Sequence, residues 1–127
     1  MKQIAIVAYQ QSDSVSDAGA VNEVELIMPV LARTFKQVGL NNAQDVDFVC
    51  SGSCDYLQGA AFAFVAGVDA LGAVPPIKES HVEMDAAWAL YESMLKIRMG
   101  HADSALIYGF GKSSPGELPI VLSQQLD

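Results

Sequence analysis

Four short extended stretches, separated by three stretches of helical periodicity, constrain this 127-residue chain more than any other feature of its sequence. Ile4 to Ala8 is a continuous apolar run of the kind that forms a strand covered on both faces. Asp47 to Cys50, Ile77 to Glu83 and Ser104 to Phe110 follow it as further strands. Strands alternating with helices at these lengths argue for crossovers between parallel strands. The expected class is therefore α/β, a βαβαβαβ, mainly parallel sheet covered by helices, folded as a single domain over residues 1–127.

The helices carry their own punctuation. Asn22 and Glu25 form a capping box, and Val24, Ile27, Met28, Leu31, Phe35 and Val38 then recur at helical spacing up to Gly39. Pro29 removes the bond to the Glu25 carbonyl, which predicts a kink or a regular start delayed by a turn. Gly52 to Gly59 reads as a loop. Ala60 to Leu71, small or apolar on almost every face, predicts an interior helix stopped by Gly72, Pro75 and Pro76. Asp85 caps a third helix from Ala86 to Met99, closed by Gly100. The glycine-rich GKSSPGE then leads into Leu118 to Leu126, which stops without a cap.

Half of the residues are hydrophobic and 17% are charged, so a packed core is expected and disorder is not. The net charge of -8 repels a phosphate backbone and makes nucleic acid a poor partner. The longest apolar stretch, Gly59 to Val68, is too short for a membrane span, and MKQIAIVAY lacks the pattern of a signal peptide; the expected compartment is the cytoplasm.

In an open parallel sheet, ligands bind beyond the carboxyl ends of the strands, which selects the Cys50 to Gly59 loop, the Glu83 to Asp85 turn and the Gly109 to Gly116 loop. GFGKSS is not a phosphate loop, because Leu106 stands where that motif needs glycine, and Lys112 reads first as a solvated loop lysine. CSGSC supplies half a zinc site at most, and packing is the expected role of Cys50 and Cys54. His81, Glu83 and Asp85 form the densest ionisable cluster, on one side of an extended chain that turns into a helix. Structural roles also account for them: a strand histidine, a carboxylate near a helix N-terminus, and an N-cap.

ESHVEMDAAWALYESMLKIRMGHADSALIYGFGKSS resembles the thiolase pattern of nucleophile turn, helix, second turn and strand ending in a glycine loop. NEVELIMPVLARTFKQVGL and DVDFVCSGSCDYLQG likewise resemble the first helix and second strand of the sterol-carrier, or lipid-transfer-protein, branch of that superfamily. The resemblance implies the N-terminal part of a thiolase-like fold, related to acetyl-CoA acetyltransferases, with the second half absent from these residues. It implies acyl-CoA thioesters as substrates, with no tightly bound cofactor. It also implies a homodimer through the Ile77 to Glu83 strand, and completion by the missing remainder or by a second thiolase-like subunit.

One departure changes the expected chemistry. Counting back seventeen residues from Gly100, the place of the thiolase nucleophile falls on Glu83, and no cysteine is there. A carboxylate is a poor acyl acceptor beside a thiolate, so a covalent acyl-enzyme is not expected. Thiolase-like aldolases without that cysteine need proton transfer and enolate stabilisation instead, and Glu83, with His81 and Asp85, would supply the proton-transfer groups. Two other readings stand beside this one. A non-catalytic thiolase-like subunit or acyl-CoA-binding module would keep the sheet without the chemistry. An unrelated nucleotide or flavin binder would need a glycine loop after the first strand, and Gln10 to Ser16 contains no glycine.

Overall fold

The computed structural model describes residues 3–59, 61–72 and 78–112, with positions 119, 120 and 123. Among them, four α-helices surround a three-stranded parallel sheet. The strands are β1 (Phe48–Ser53), β2 (Glu79–Glu83) and β3 (Ala105–Gly109), in spatial order β2-β1-β3. The helices are α1 (Glu23–Val38), α2 (Asp55–Gln58), α3 (Phe64–Leu71) and α4 (Ala86–Arg98). The chain thus has the α/β architecture expected of it.

Period-two alternation on β1 divides the core in two. Val49 faces α1 and α3, where Ile27, Leu31, Phe35, Leu71, Leu106 and Tyr108 join it. Phe48 and Cys50 face the opposite way and pack with Ala89 and Ala102 on the α4 side. The connection from β1 to β2 runs through α2 and α3, and the connection from β2 to β3 crosses β1 through α4. Winding reverses direction between the two connections, so crossovers of one hand place their helices on opposite faces.

Local signals account for the helix ends. Asn22 accepts from the Glu25 amide while the Glu25 carboxylate accepts from the Asn22 amide, completing the capping box. Helix α1 ends on Gly39 at φ +73°, in the left-handed region that glycine occupies at no steric cost. It runs unbroken through Pro29, and its start is not delayed.

The first expected strand is not one. Ile4 to Ala8 makes no ladder, and Ile6 and Val7 remain 74% and 76% exposed. A strand needs a partner as well as a pattern, and this segment pairs with neither edge of the sheet. The βαβαβαβ string therefore begins, among the described residues, at its first helix. Three smaller corrections concern the middle of the chain. β1 continues to Ser53, the expected loop from Gly52 to Gly59 contains the one-turn helix α2, and α3 begins at Phe64 after a turn at residues 61–63. Helix α3 is also less buried than its composition suggests. Only Gly67 and Leu71 are fully covered, because one face packs inward while Val65 and Asp69 face outward. Ala60, Pro75, Pro76, Ile77, most of GKSSPGE and most of Leu118 to Leu126 lie outside the described residues.

Candidate functional site

The strand-to-helix junction is built by glycine. Gly52 and Gly109 are cross-strand partners on β1 and β3, and both face α4. A Cβ on Gly52 would come within 2.3 Å of the Asp85 carbonyl oxygen, and one on Gly109 within 2.6 Å of the Ala86 Cβ. This floor without side chains lets the N-terminus of α4 sit directly on the carboxyl ends of β1 and β3. In a sheet of this order, those ends border the switch point where ligand crevices open.

The three candidate residues occupy this junction in sequence. His81 and Glu83 lie on β2, and Glu83 is the last residue of the strand. Asp85 is the N-cap of α4, its carboxylate accepting from the Ala87 amide at 2.9 Å and the Trp88 amide at 3.3 Å. Those bonds turn Asp85 toward the helix, so its observed role is structural. His81 and Glu83 belong together: His81 Nε2 lies 3.3 Å from Glu83 Oε2. The His81 side chain is 16% exposed and that of Glu83 50%, which leaves the carboxylate open to solvent and the imidazole largely covered.

Several residues without a site role in the sequence reading complete the cluster. Ser51 Oγ lies 3.0 Å from His81 Nδ1, and Phe64 stacks on the imidazole at a centroid distance of 4.7 Å. The other Glu83 oxygen accepts from the Asp55 amide at 2.6 Å. The Asp55 carboxylate in turn accepts from the Phe62 and Ala63 amides, holding Phe62 at φ +59°, a left-handed conformation that costs a non-glycine residue energy. Tyr108 pairs in register with Ser51 on the side away from His81. Burial pushes the Tyr108 phenol up to about 12, so it remains a hydrogen-bond donor across the physiological range.

Ser53, directly opposite Glu83 in the ladder, has a buried hydroxyl without a hydrogen-bond partner among the described residues, and the buried Gln58 amide is in the same position. Such groups are rare in folded proteins, and a third, Ser93 Oγ, is buried on α4 away from this cluster. Ser53 and Gln58 lie at or just beyond the carboxyl end of β1, on the segment that also carries Asp55.

The two thiols divide by environment. Cys50 is fully buried on the α4 face, and burial with Glu92 nearby pushes its pKa up to about 11, so it is a packing residue. Cys54 is partly exposed at the N-cap of α2, where its side chain caps nothing. Lys112 is not a free solvated lysine: its ammonium donates to the Gly19 and Val21 carbonyls, tying the loop after β3 to the segment before α1. A cleft lined by Phe48, Lys78, Glu79, Lys96, His101 and Ala102 lies at the opposite, amino-terminal end of the strands. Among the described residues no three His, Cys, Asp or Glu side chains gather as metal ligands would.

The chain matches no protein-family model, no curated protein and no solved structure. Among the described residues no helix is long and apolar enough to cross a membrane.

Chemically, the cluster offers a solvent-accessible carboxylate whose orientation is fixed at both oxygens, backed by an imidazole fixed at both nitrogens. Such a pair can take a proton from a carbon acid or return one to it. The structure gathers His81 and Glu83 and sets Asp85 apart as a cap. Asp55 was visible in sequence only as a loop residue, and Ser51 and Tyr108 gave no signal there, because what unites them is the register of three strands.

Proposed function

We propose that this chain is the N-terminal half of a thiolase-like enzyme acting on acyl-CoA thioesters, in which Glu83 transfers a proton during carbon-carbon bond cleavage or formation. The observation that carries the proposal is the place of Glu83, at the end of β2, with only Met84 between it and the Asp85 cap of α4, and with its carboxylate half-exposed. A retro-aldol cleavage needs a base for the β-hydroxyl proton and a site that stabilises the enolate of the thioester, and it needs no covalent acyl carrier. The unpartnered Ser53 hydroxyl, opposite Glu83, adds a donor at the same edge.

The remaining parts of the proposal follow the same reading. A second thiolase-like half, on the same polypeptide or a partner chain, completes the site, and coenzyme A enters only as the thioester substrate. Two copies associate through β2, which is an edge strand with one side of its backbone open among the described residues. The setting is the cytoplasm, and the lipid or sterol side chain is the class of acyl group proposed.

The test is cleavage of a β-hydroxyacyl-CoA by the chain together with its complementing half, with wild type and Glu83→Gln compared. Loss of turnover by about 100-fold or more in Glu83→Gln, with thioester binding retained, is the expected result for a general acid or base. Unchanged turnover removes Glu83 from the mechanism.

A second reading, a non-catalytic thiolase-like subunit that binds acyl-CoA, is favoured by one observation. Both Glu83 oxygens already accept hydrogen bonds from within the chain, as a structural carboxylate would. On that reading thioester binding persists, and no complementing half confers cleavage that depends on Glu83.

A further inference from the structure

Strand register brings a short hydrogen-bonded row of Ser51, His81 and Glu83 together beneath the candidate site. Tyr108 on β3, Ser51 on β1 and His81 on β2 are direct neighbours, all on the face covered by α1 and α3. Glu83 lies two residues beyond His81 on the same strand and the same face.

Resting on the reading of Glu83 as the working carboxylate, we propose that Ser51 is a positioning residue that acts through His81 to hold the Glu83 carboxylate as a hydrogen-bond acceptor in one orientation.

Donor and acceptor chemistry fixes the direction of every bond in the row. An ionised carboxylate only accepts, so the His81 nitrogen facing Glu83, Nε2, must carry the proton. In the neutral ring Nδ1 is then bare and must accept, and the Ser51 hydroxyl, 3.0 Å away, is the donor that faces it.

Packing removes the freedom that would scramble this order. Phe64 stacks on the imidazole with an interplanar angle of 21°, which opposes rotation of the His81 ring. Ser51 is buried, so water does not compete for its single proton. The row thus sets the His81 tautomer, and the tautomer sets which way Glu83 faces.

The experiment reads the tautomer directly, without substrate, so its outcome is separate from that of the thioester test. The ¹⁵N shifts of the imidazoles are measured in the intact chain at a pH where the rings are neutral, with His101→Gln assigning the signals, since the chain has two histidines. The expected wild-type result is a single tautomer, Nε2 protonated and Nδ1 bare. Ser51→Ala converts it to a mixture and moves the Glu83 carboxyl ¹³C signal. A protonated Nδ1 in the wild type overturns the proposal. So does an unchanged tautomer in Ser51→Ala that retains the wild-type amide spectrum. If Ser51→Ala does not fold, the wild-type tautomer decides alone, and a protonated Nδ1 there overturns the proposal.

Discussion

Glycine 52 shows how one absent side chain places a site. Its missing Cβ lets the Asp85 carbonyl rest on β1, and Asp85 starts the helix that follows Glu83. Gly52→Ala would drive a methyl group into three backbone atoms of Asp85 and Ala86, which cannot rotate away. The expected loss is about 3 kcal/mol, the upper part of the range for overpacking, read as a lower midpoint in urea unfolding. Gly109→Ala meets chiefly the Ala86 methyl and should cost less. Neither role was legible in the sequence, where Gly52 is one residue of CSGSC, because close approach between distant segments has no local signature.

At the scale of elements, what was legible was what is local. The capping box at Asn22 and Glu25, the Asp85 cap and the Gly39 stop each depend on contacts within a few residues, and each helix end forms where its signal stands. The Ile4 to Ala8 run shows the opposite case: its composition fits a strand, but a ladder needs a distant partner that composition does not specify, and the run pairs with neither edge of the β2-β1-β3 sheet. The site divides in the same way. His81, Glu83 and Asp85 were legible as a cluster because they are near in sequence, whereas Ser51 and Tyr108 join them only through β-sheet register. Hydrogen exchange tests this account of the N-terminus: amides 4–8 should exchange at nearly unprotected rates while those of β1 are the slowest in the chain. Ile6→Lys, which removes little burial, should change stability by less than about 0.5 kcal/mol; a larger loss would mean that this segment packs.

For the whole molecule, two buried acids shape the alkaline limit. Cys50 and Tyr108 both lose protons less readily in the folded chain than in the unfolded one, chiefly because burial disfavours their anions. The folded state then binds more protons than the unfolded state between the two values of each group, so stability falls as pH rises through those intervals. The windows run from 9.0 to about 11 for Cys50 and from 10.0 to about 12 for Tyr108. Unfolding midpoints should be nearly flat up to about pH 8.5 as far as these two groups are concerned, and Cys50→Ala should flatten the first part of the alkaline decline.

The central claim is that an acyl-CoA thioester is held at the carboxyl edge of the sheet, against Glu83. Amide chemical-shift mapping of the labelled chain with acetyl-CoA tests it most directly, because it shows where the ligand sits without requiring turnover. The account predicts saturable shifts confined to residues 52–56, 83–86 and 109–112. Shifts gathered instead around Lys78, Lys96 and His101, at the other end of the strands, or none at millimolar ligand, would contradict it.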